Sequence, residues 1–174
     1  VGPIHAGIIE PGHFRFICNG EKVLHLEIEL GFQHRGIEQM MLQQDKFLQQ
    51  TMLAESIAGD TVISHSTAFV QLMEALNGVE ISENTKLSRT IAAEMERIAI
   101  HTSDLSALCT DVAFQLGSAV LQGLRTIIIN TFLIWCGNRF GRKLIRCRKE
   151  PYPLNQELIA KINNNIDLFE KRYV

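Results

Sequence analysis

The stretch Glu55–Phe69, ESIAGDTVISHSTAF, decides how the rest of this chain is arranged. Its first half is rich in small and flexible residues, which allow a neighbouring backbone to approach closely. From Val62 onward the pattern is helical, and one apolar face is predicted from the three- and four-residue spacing of His65, Phe69, Leu72, Met73 and Leu76. His65 would then point inward, close to a Gly–Asp turn. A polar turn, a helix start and an inward imidazole occur in buried reaction centres, and they also occur in ordinary helical cores.

The composition indicates one globular domain. A chain of 174 residues is long enough for one sizeable core and short for two. With 46% hydrophobic residues, 21% charged residues and a net charge of -2, the chain is typical neither of disordered proteins nor of nucleic-acid-binding proteins. Its four cysteines include no C-x-x-C pair, which argues against zinc or iron–sulfur ligation by this chain alone and fits a reducing compartment.

Residues 1–35 predict a β-hairpin that follows a loop rich in glycine and proline. Phe14, Phe16 and Cys18 alternate with His13, Arg15 and Ile17, and apolar and polar residues alternate through positions 24–30, which is the period of a strand with two different faces. Asn19-Gly20 is a strong signal for a two-residue turn. We expect an antiparallel hairpin whose apolar face packs on helices.

Residues 36–174 are predicted to be helical. One or two helices precede the central stretch Glu55–Phe69, and Asn77-Gly78 ends the helix that carries His65. A long helix then begins at Ser82 or Asn84 and reaches about Leu116. The expected fold class is therefore α+β and predominantly helical, with a small N-terminal antiparallel sheet packed on a bundle of long helices.

Two further helices complete this prediction. Residues 117–136 are apolar nearly all round, but Arg125 and Asn130 leave the run short of the about 20 apolar residues that a membrane span needs. We therefore expect a buried helix, or one at a subunit interface, that Gly137 ends. The last helix begins near Asn155, after Pro151 and Pro153.

Two charged segments each allow two interpretations. Five ionisable residues form a seam at helical spacing along the long helix: Glu94, Arg97, His101, Asp104 and Asp111. The seam is either a solvated face with ion pairs or a buried proton relay, and we predict partial burial because opposite charges lie within pairing distance. Residues 139–149 carry six basic side chains, a run that is either solvated or docks an acidic partner.

Five segments in order resemble the large subunit of membrane-bound [NiFe] hydrogenases of the formate hydrogenlyase type, and the homologous quinone-site subunit of respiratory complex I. They are GPIHAGIIEPGHFRF, ELGFQHRGIE, ESIAGDTVISHSTAF, EMERIAIHTSD and GNRFGR. The resemblance covers about the N-terminal half of such a subunit, so we expect this single domain to be a fragment of a longer hydrogenase-like fold.

The resemblance also implies a lost metal centre. The family's first pair of metal-binding cysteines corresponds here to Ala58 and Thr61, and its arginine corresponds to Ser56. Methyl and hydroxyl groups cannot replace the thiolates that bind a soft metal, so we expect no Ni–Fe centre and no active hydrogenase in this form. The loss points to the complex I branch, although Ile57 stands near the place of that branch's quinone-site tyrosine.

The same resemblance singles out the candidate site residues. Glu10, His65, His101 and Asp111 are the candidate catalytic groups: Glu10 corresponds to a proton-relay glutamate, and Asp111 to the acidic residue near the quinone headgroup. The candidate cofactor-binding residues are His5, Ala58, Asp60 and Thr61. We expect a polar hollow between the His5–His13 loop and the start of the His65 helix, where a helix N-terminus would favour an anion or a water cluster.

The expected function is that of a hydrogenase- or NADH dehydrogenase-like large subunit of an electron-transfer complex, without Ni–Fe and with a quinone as a candidate acceptor. Any iron–sulfur cluster would lie in a partner subunit, and in isolation the chain would self-associate. We expect a location on the cytoplasmic side, peripheral to the plasma membrane, with no transmembrane span and no nucleic-acid partner. The alternative is a non-enzymatic scaffold or interaction subunit, or a truncated remnant of the family.

Overall fold

The computed structural model describes Gly2 and residues 11–173. It contains two compact units, Val1–Gln39 and Met40–Val174. Helices account for more than half of the chain and accompany one two-stranded sheet, so the fold class is α+β and predominantly helical, as predicted. That the chain is a single domain and a fragment of a longer fold stays a prediction.

The first unit contains the predicted hairpin. Strands β1 (His13–Asn19) and β2 (Lys22–Glu29) are antiparallel, and Phe16 lies opposite Leu26. The turn falls on Gly20 and Glu21, one residue later than predicted, and the register shifts between Ile17 and Cys18. Gly20 has a φ of 59°, a left-handed conformation that glycine adopts without strain. The packing of this hairpin on helices stays a prediction.

Six helices follow the hairpin in chain order. They are α1 (Ile37–Leu42), α2 (Phe47–Ala54), α3 (Val62–Leu76), α4 (Glu83–Asp111), α5 (Gln115–Cys136) and α6 (Gln156–Tyr173). The Ser82 hydroxyl caps α4 by accepting the Thr85 N–H at 3.2 Å, and Asn155 Oδ1 accepts the Leu158 N–H at 2.8 Å in the first turn of α6. Gly137 ends α5 with a φ of 75°. These local end signals are confirmed.

The turn between α4 and α5 corrects the prediction that the long helix reaches Leu116. The helix ends at Asp111, Ala113 has a φ of 60°, and the Phe114 N–H donates to the Cys109 carbonyl at 2.7 Å. A Cβ at Gly117 would lie only 2.4 Å from the Phe114 ring, so the close approach of that ring requires glycine. The break itself contains neither glycine nor proline. Because the helical spacing of apolar residues continues across it, the sequence did not indicate where the helix ends.

The core of the second unit is built on α5. Ile128, Phe132 and Trp135 of this helix are at most 4% exposed, and the Trp135 indole N–H donates to the Tyr152 carbonyl at 2.9 Å. The length and composition of α5 would allow it to cross a membrane, a test that core helices of globular proteins also pass. One side of α5 is buried, as predicted, whereas Leu133 and Ile134 on the other side are 47% and 50% exposed.

The face that α3 turns to the core differs from the predicted one. Leu72 and Leu76 are 57% and 72% exposed, and His65 is half-buried. The buried residues are Val62, Ile63, Ser66, Val70 and Glu74. The prediction was wrong because it followed hydrophobicity alone, whereas the core side of this helix carries a charged residue that is paired inside.

The charged seam on α4 is also corrected. All five of its members are exposed: Glu94, Arg97, His101, Asp104 and Asp111. The buried residues of α4 lie on the opposite side. Most of them are small, and the larger ones are Arg89, Met95 and Glu96. Small side chains allow neighbouring helices to approach closely, so this side faces the core, and the seam meets solvent. The prediction of a partly buried seam was wrong.

Candidate functional site

The N-terminus of α3 is closed by a carboxylate from α4. Glu96 accepts the backbone N–H groups of Ile63 at 2.6 Å and Ser64 at 2.9 Å, and also the Ser64 hydroxyl. The first N–H groups of a helix have no partner within the helix and attract negative charge. Glu96 is only 4% exposed, so the chain itself supplies the anion expected at this helix start.

A second buried carboxylate joins the end of α2 to the basic segment after α5. Glu55 is 3% exposed and accepts the Lys143 backbone N–H at 2.9 Å. The Arg146 guanidinium donates to the same oxygen at 2.5 Å. Within the basic segment of residues 139–149, the Arg146 side chain thus binds an acidic group of this chain, while the side chains of Arg139, Lys143, Arg148 and Lys149 are exposed, as in a solvated run.

The third buried carboxylate, Glu74 of α3, forms a bidentate pair with Arg89 of α4. Both N–O distances are 2.8 Å, and both side chains are 6% exposed. The hydrogen bonds from Arg89 hold the pKa of Glu74 below its ordinary value, although burial alone would raise it. Glu74 also accepts the Arg148 backbone N–H at 3.1 Å, while burial and the nearby Glu74 charge raise the pKa of the Cys147 thiol.

Two of these carboxylates hold backbone in an unfavourable conformation. Lys143 and Arg148 have φ angles of 73° and 58°, in the left-handed region that side chains with a Cβ disfavour. Their N–H groups are the ones that donate to Glu55 and Glu74. A charge-assisted hydrogen bond offsets the conformational cost at each position.

Four of the predicted site residues lie at the start of α3. Ala58, Thr61 and His65 are half-buried, and Asp60 is exposed. The Thr61 Oγ1 is buried and has no hydrogen-bond partner in the described part of the chain. His5 and Glu10 lie outside the described residues, so the predicted hollow between their loop and α3 is untested.

The remaining two predicted site residues are not brought together. His101 and Asp111 are both exposed on α4. Ten residues of α-helix separate them by about 15 Å along the axis. One small headgroup therefore cannot contact both side chains in this arrangement.

The residues at the start of α3 do not fit a Ni–Fe centre. Ala58 and Thr61 offer a methyl and a hydroxyl where the resemblance implies thiolates. Across Gly2 and residues 11–173, no group of three or more His, Cys, Asp or Glu side chains is arranged to hold a metal ion.

Sequence reasoning missed the buried glutamates as a group. Glu55 opens the central stretch, but its partners lie 88 and 91 positions later in the chain. One available signal was that Glu96 lies on the α4 side with small residues such as Ala92 and Ala99, where a charge must be paired.

No family model matches the chain. Formate hydrogenlyase subunit 5 of Escherichia coli (strain K12) is 31% identical over 147 residues, which cover 83% of this chain and 26% of that protein. Membrane-bound hydrogenase subunit alpha of Pyrococcus furiosus is 27% identical over 144 residues, 83% of this chain and 34% of that protein. An NADH-quinone oxidoreductase subunit of Clostridium beijerinckii is 23% identical over 175 residues, 99% of this chain and 46% of that protein.

The chain thus spans between about a quarter and about a half of the length of these relatives. Two kinds of oxidoreductase subunit match it over at least four fifths of its own length. The chain is therefore homologous to hydrogenase and NADH-quinone oxidoreductase subunits, which confirms the resemblance drawn from its five sequence segments.

Proposed function

We propose that this chain serves as a hydrogenase- or NADH dehydrogenase-like large subunit in a membrane-associated electron-transfer complex, and that it carries no Ni–Fe centre of its own. The observation that carries the proposal is the homology of this chain to such subunits. The absence of a Ni–Fe centre rests on Ala58 and Thr61, which stand where the resemblance places the family's metal-binding cysteines. A hydrogenase large-subunit-like fold is part of the proposal. The helical core and the carboxylate-held start of α3 support it.

In this proposal the electron carriers lie outside the chain, as an iron–sulfur cluster in a partner subunit and a quinone as acceptor. The candidate groups of this chain would move protons: Glu10, His65, His101 and Asp111, with His5 and Asp60 as further candidates. Because His101 and Asp111 lie on α4 about 15 Å apart, they would act at different points of a proton path rather than on one headgroup.

A partner-binding surface is available at the end of the helix pair. We call it the α4–α5 tip, which consists of the exposed residues Leu105, Leu108, Val112, Phe114, Leu116 and Val120. Their exposed fractions run from 41% to 76%, and large apolar side chains exposed in this way are typical of sites of protein–protein contact. We propose that an iron–sulfur subunit covers the tip, at the cytoplasmic face of a membrane, and that without it the chain self-associates.

The second candidate function is a non-enzymatic scaffold within the same kind of complex. The exposure and separation of His101 and Asp111 favour it, and so does the involvement of the three buried glutamates in internal structural contacts. A scaffold would still bind its partner through the α4–α5 tip, but electron transfer in the complex would not depend on the side chains of α4.

Co-expression of the chain with an iron–sulfur subunit from the same genome, under anaerobic conditions, tests the proposal. Light scattering during gel filtration should show a complex that Leu108→Glu and Leu116→Glu weaken. The matched controls Leu72→Glu and Leu76→Glu, equally exposed on α3, should leave the complex intact. If the tip variants bind like the controls, the proposed surface is wrong.

Assay of the purified complex separates the two functions. Quinone reduction that falls with Asp111→Asn or His101→Gln supports the redox subunit. Reduction that is unaffected by both variants, in an intact complex, supports the scaffold. Stoichiometric nickel in the chain by elemental analysis would contradict both.

A further inference from the structure

A cavity of about 420 Å³ lies between α4 and α5, and none of its described lining residues belongs to α3. Hydroxyl groups of Ser103, Ser106 and Thr110 line it from α4, and Arg125 lines it from α5. Arg139 and Phe140, from the segment that follows α5, complete the wall. None of the described lining residues is acidic, so the cavity carries two positive charges and no compensating negative one.

Arg125 is the unusual group in this wall. Its Nε is buried and has no hydrogen-bond partner in the described part of the chain. The guanidinium carbon lies 5.9 Å from the centre of the Phe140 ring, a cation–π contact that orients the side chain and supplies no acceptor. A buried N–H without an acceptor is rare in proteins, and an arginine in this state calls for an oxygen ligand.

The buried carboxylates of this chain do not supply an oxygen acceptor for Arg125. Glu55, Glu74 and Glu96 are the buried acidic residues among those described, and each is already bonded to other groups. At the cavity, Ser106 and Thr110 are hydrogen-bonded to Ser118 at 3.0 and 2.9 Å, which fixes the hydroxyl side of the wall. The hydroxyl side of the wall is thus held in place, whereas the buried Nε of Arg125 has no hydrogen-bond partner among the described residues.

We infer that this cavity binds a small molecule bearing a phosphate or carboxylate group, and that Arg125 and Arg139 hold the anionic group. A guanidinium matches the oxygens of phosphate and carboxylate by paired hydrogen bonds. The volume of about 420 Å³ falls in the range of small-molecule sites and exceeds that of a bare anion, so it leaves room for an organic body beside the hydroxyls. This site is independent of the electron-transfer role proposed above.

Calorimetric titration of the full chain with inorganic phosphate and, separately, with malonate tests the inference. Binding of one or both anions is expected, and the stronger of the two identifies the preferred group. Arg125→Gln should weaken binding at least about tenfold, since one charge-assisted contact is lost. The matched control Arg172→Gln, on the exposed end of α6, should bind as the parent chain does.

A second variant guards against loss of folding. Arg139→Gln changes an exposed side chain, so a folded protein is expected, again with weaker binding. Circular dichroism verifies the helical content of each variant before titration. The inference is overturned if neither anion binds up to about 10 mM, the weak end of specific affinity, or if folded Arg125→Gln and Arg139→Gln both bind like the control.

Discussion

Replacement of Glu96 by glutamine tests whether a carboxylate from α4 holds the start of α3. The substitution keeps the size of the side chain and removes its charge. An amide can accept hydrogen bonds only at its oxygen, so its NH₂ group must face one of the two N–H groups of Ile63 and Ser64. A donor then faces a donor in a site that is 4% exposed.

The expected loss follows from the contacts. A hydrogen bond to a charged group contributes about 1.5–3 kcal/mol, and the charge at a helix N-terminus about 0.3–1 kcal/mol more. With one bond lost and the others weakened, Glu96→Gln should lower the free energy of unfolding by about 2–4 kcal/mol. For a chain of this size that corresponds to a fall in Tm of roughly 4–16 °C.

Urea denaturation followed by circular dichroism measures this change. The matched control is Glu94→Gln, two residues away on the exposed side of α4, where the ion pair with Arg97 is worth under about 1 kcal/mol. Hydrogen exchange of the Ile63 and Ser64 amides should also accelerate in Glu96→Gln alone. Equal stability of the two variants, with unchanged exchange, would refute the assigned role of Glu96.

Three further substitutions probe the other contacts. Glu74→Gln removes the carboxylate partner of Arg89 and should lower the free energy of unfolding by about 3–5 kcal/mol at neutral pH. Because the pKa of Glu74 is lowered in the folded state, this loss should become smaller as the pH falls below 4.5 and through the folded-state pKa. Urea denaturation at several pH values measures it. At φ 73°, Lys143→Gly should be about 1 kcal/mol more stable than Lys143→Ala in the same melts, and equal values would exclude backbone strain there. Gly141→Ala, whose Cβ would meet Ile63 Cδ1 at 2.5 Å with φ 74°, should cost about 2–4 kcal/mol in thermal unfolding, while Gly59→Ala, with open space around it, should cost under about 0.5 kcal/mol.

Signals that act within a few residues predicted the elements well. The hairpin period, the Ser82 cap, the Gly137 stop and the Asn155 start all depend on neighbouring residues, and the structure has them. The break at Asp111 was missed because the apolar period continues across it, and the left-handed residue there is an alanine. When packing elsewhere in the fold holds an alanine in a turn, the neighbouring residues carry no pattern that predicts the turn.

The faces of α3 and α4 could not be predicted from hydrophobicity. On each helix a charged residue occupies the core side, and its partner lies on another element. Glu74 meets Arg89 15 positions later, and Glu96 meets Ile63 33 positions earlier. The cost of burying such a charge is recovered only in the folded pair, so the sequence pattern of one helix cannot reveal it.

The predictions for the candidate site also differ in how far the sequence alone could support them. That Ala58 and Thr61 stand where the resemblance implies thiolates is read from single positions of the sequence, and it stays a prediction. The separation of His101 from Asp111 follows from an unbroken helix, and it limits what the two residues can do together. The roles of all eight predicted site residues stay predictions.

The central stretch is held at both of its ends by hydrogen bonds to residues of this chain. Glu55 fixes one end of the stretch to residues 143–146, and Glu96 fixes Ile63 and Ser64 at the other end. Both carboxylates act through hydrogen bonds to this chain alone, so the geometry between them does not depend on thiolates at positions 58 and 61. The Thr61 hydroxyl lies within that fixed segment, buried and without a partner among the described residues, and an unsatisfied buried donor costs about 1–3 kcal/mol. A backbone held from both ends by charge-assisted hydrogen bonds tolerates a cost of this size.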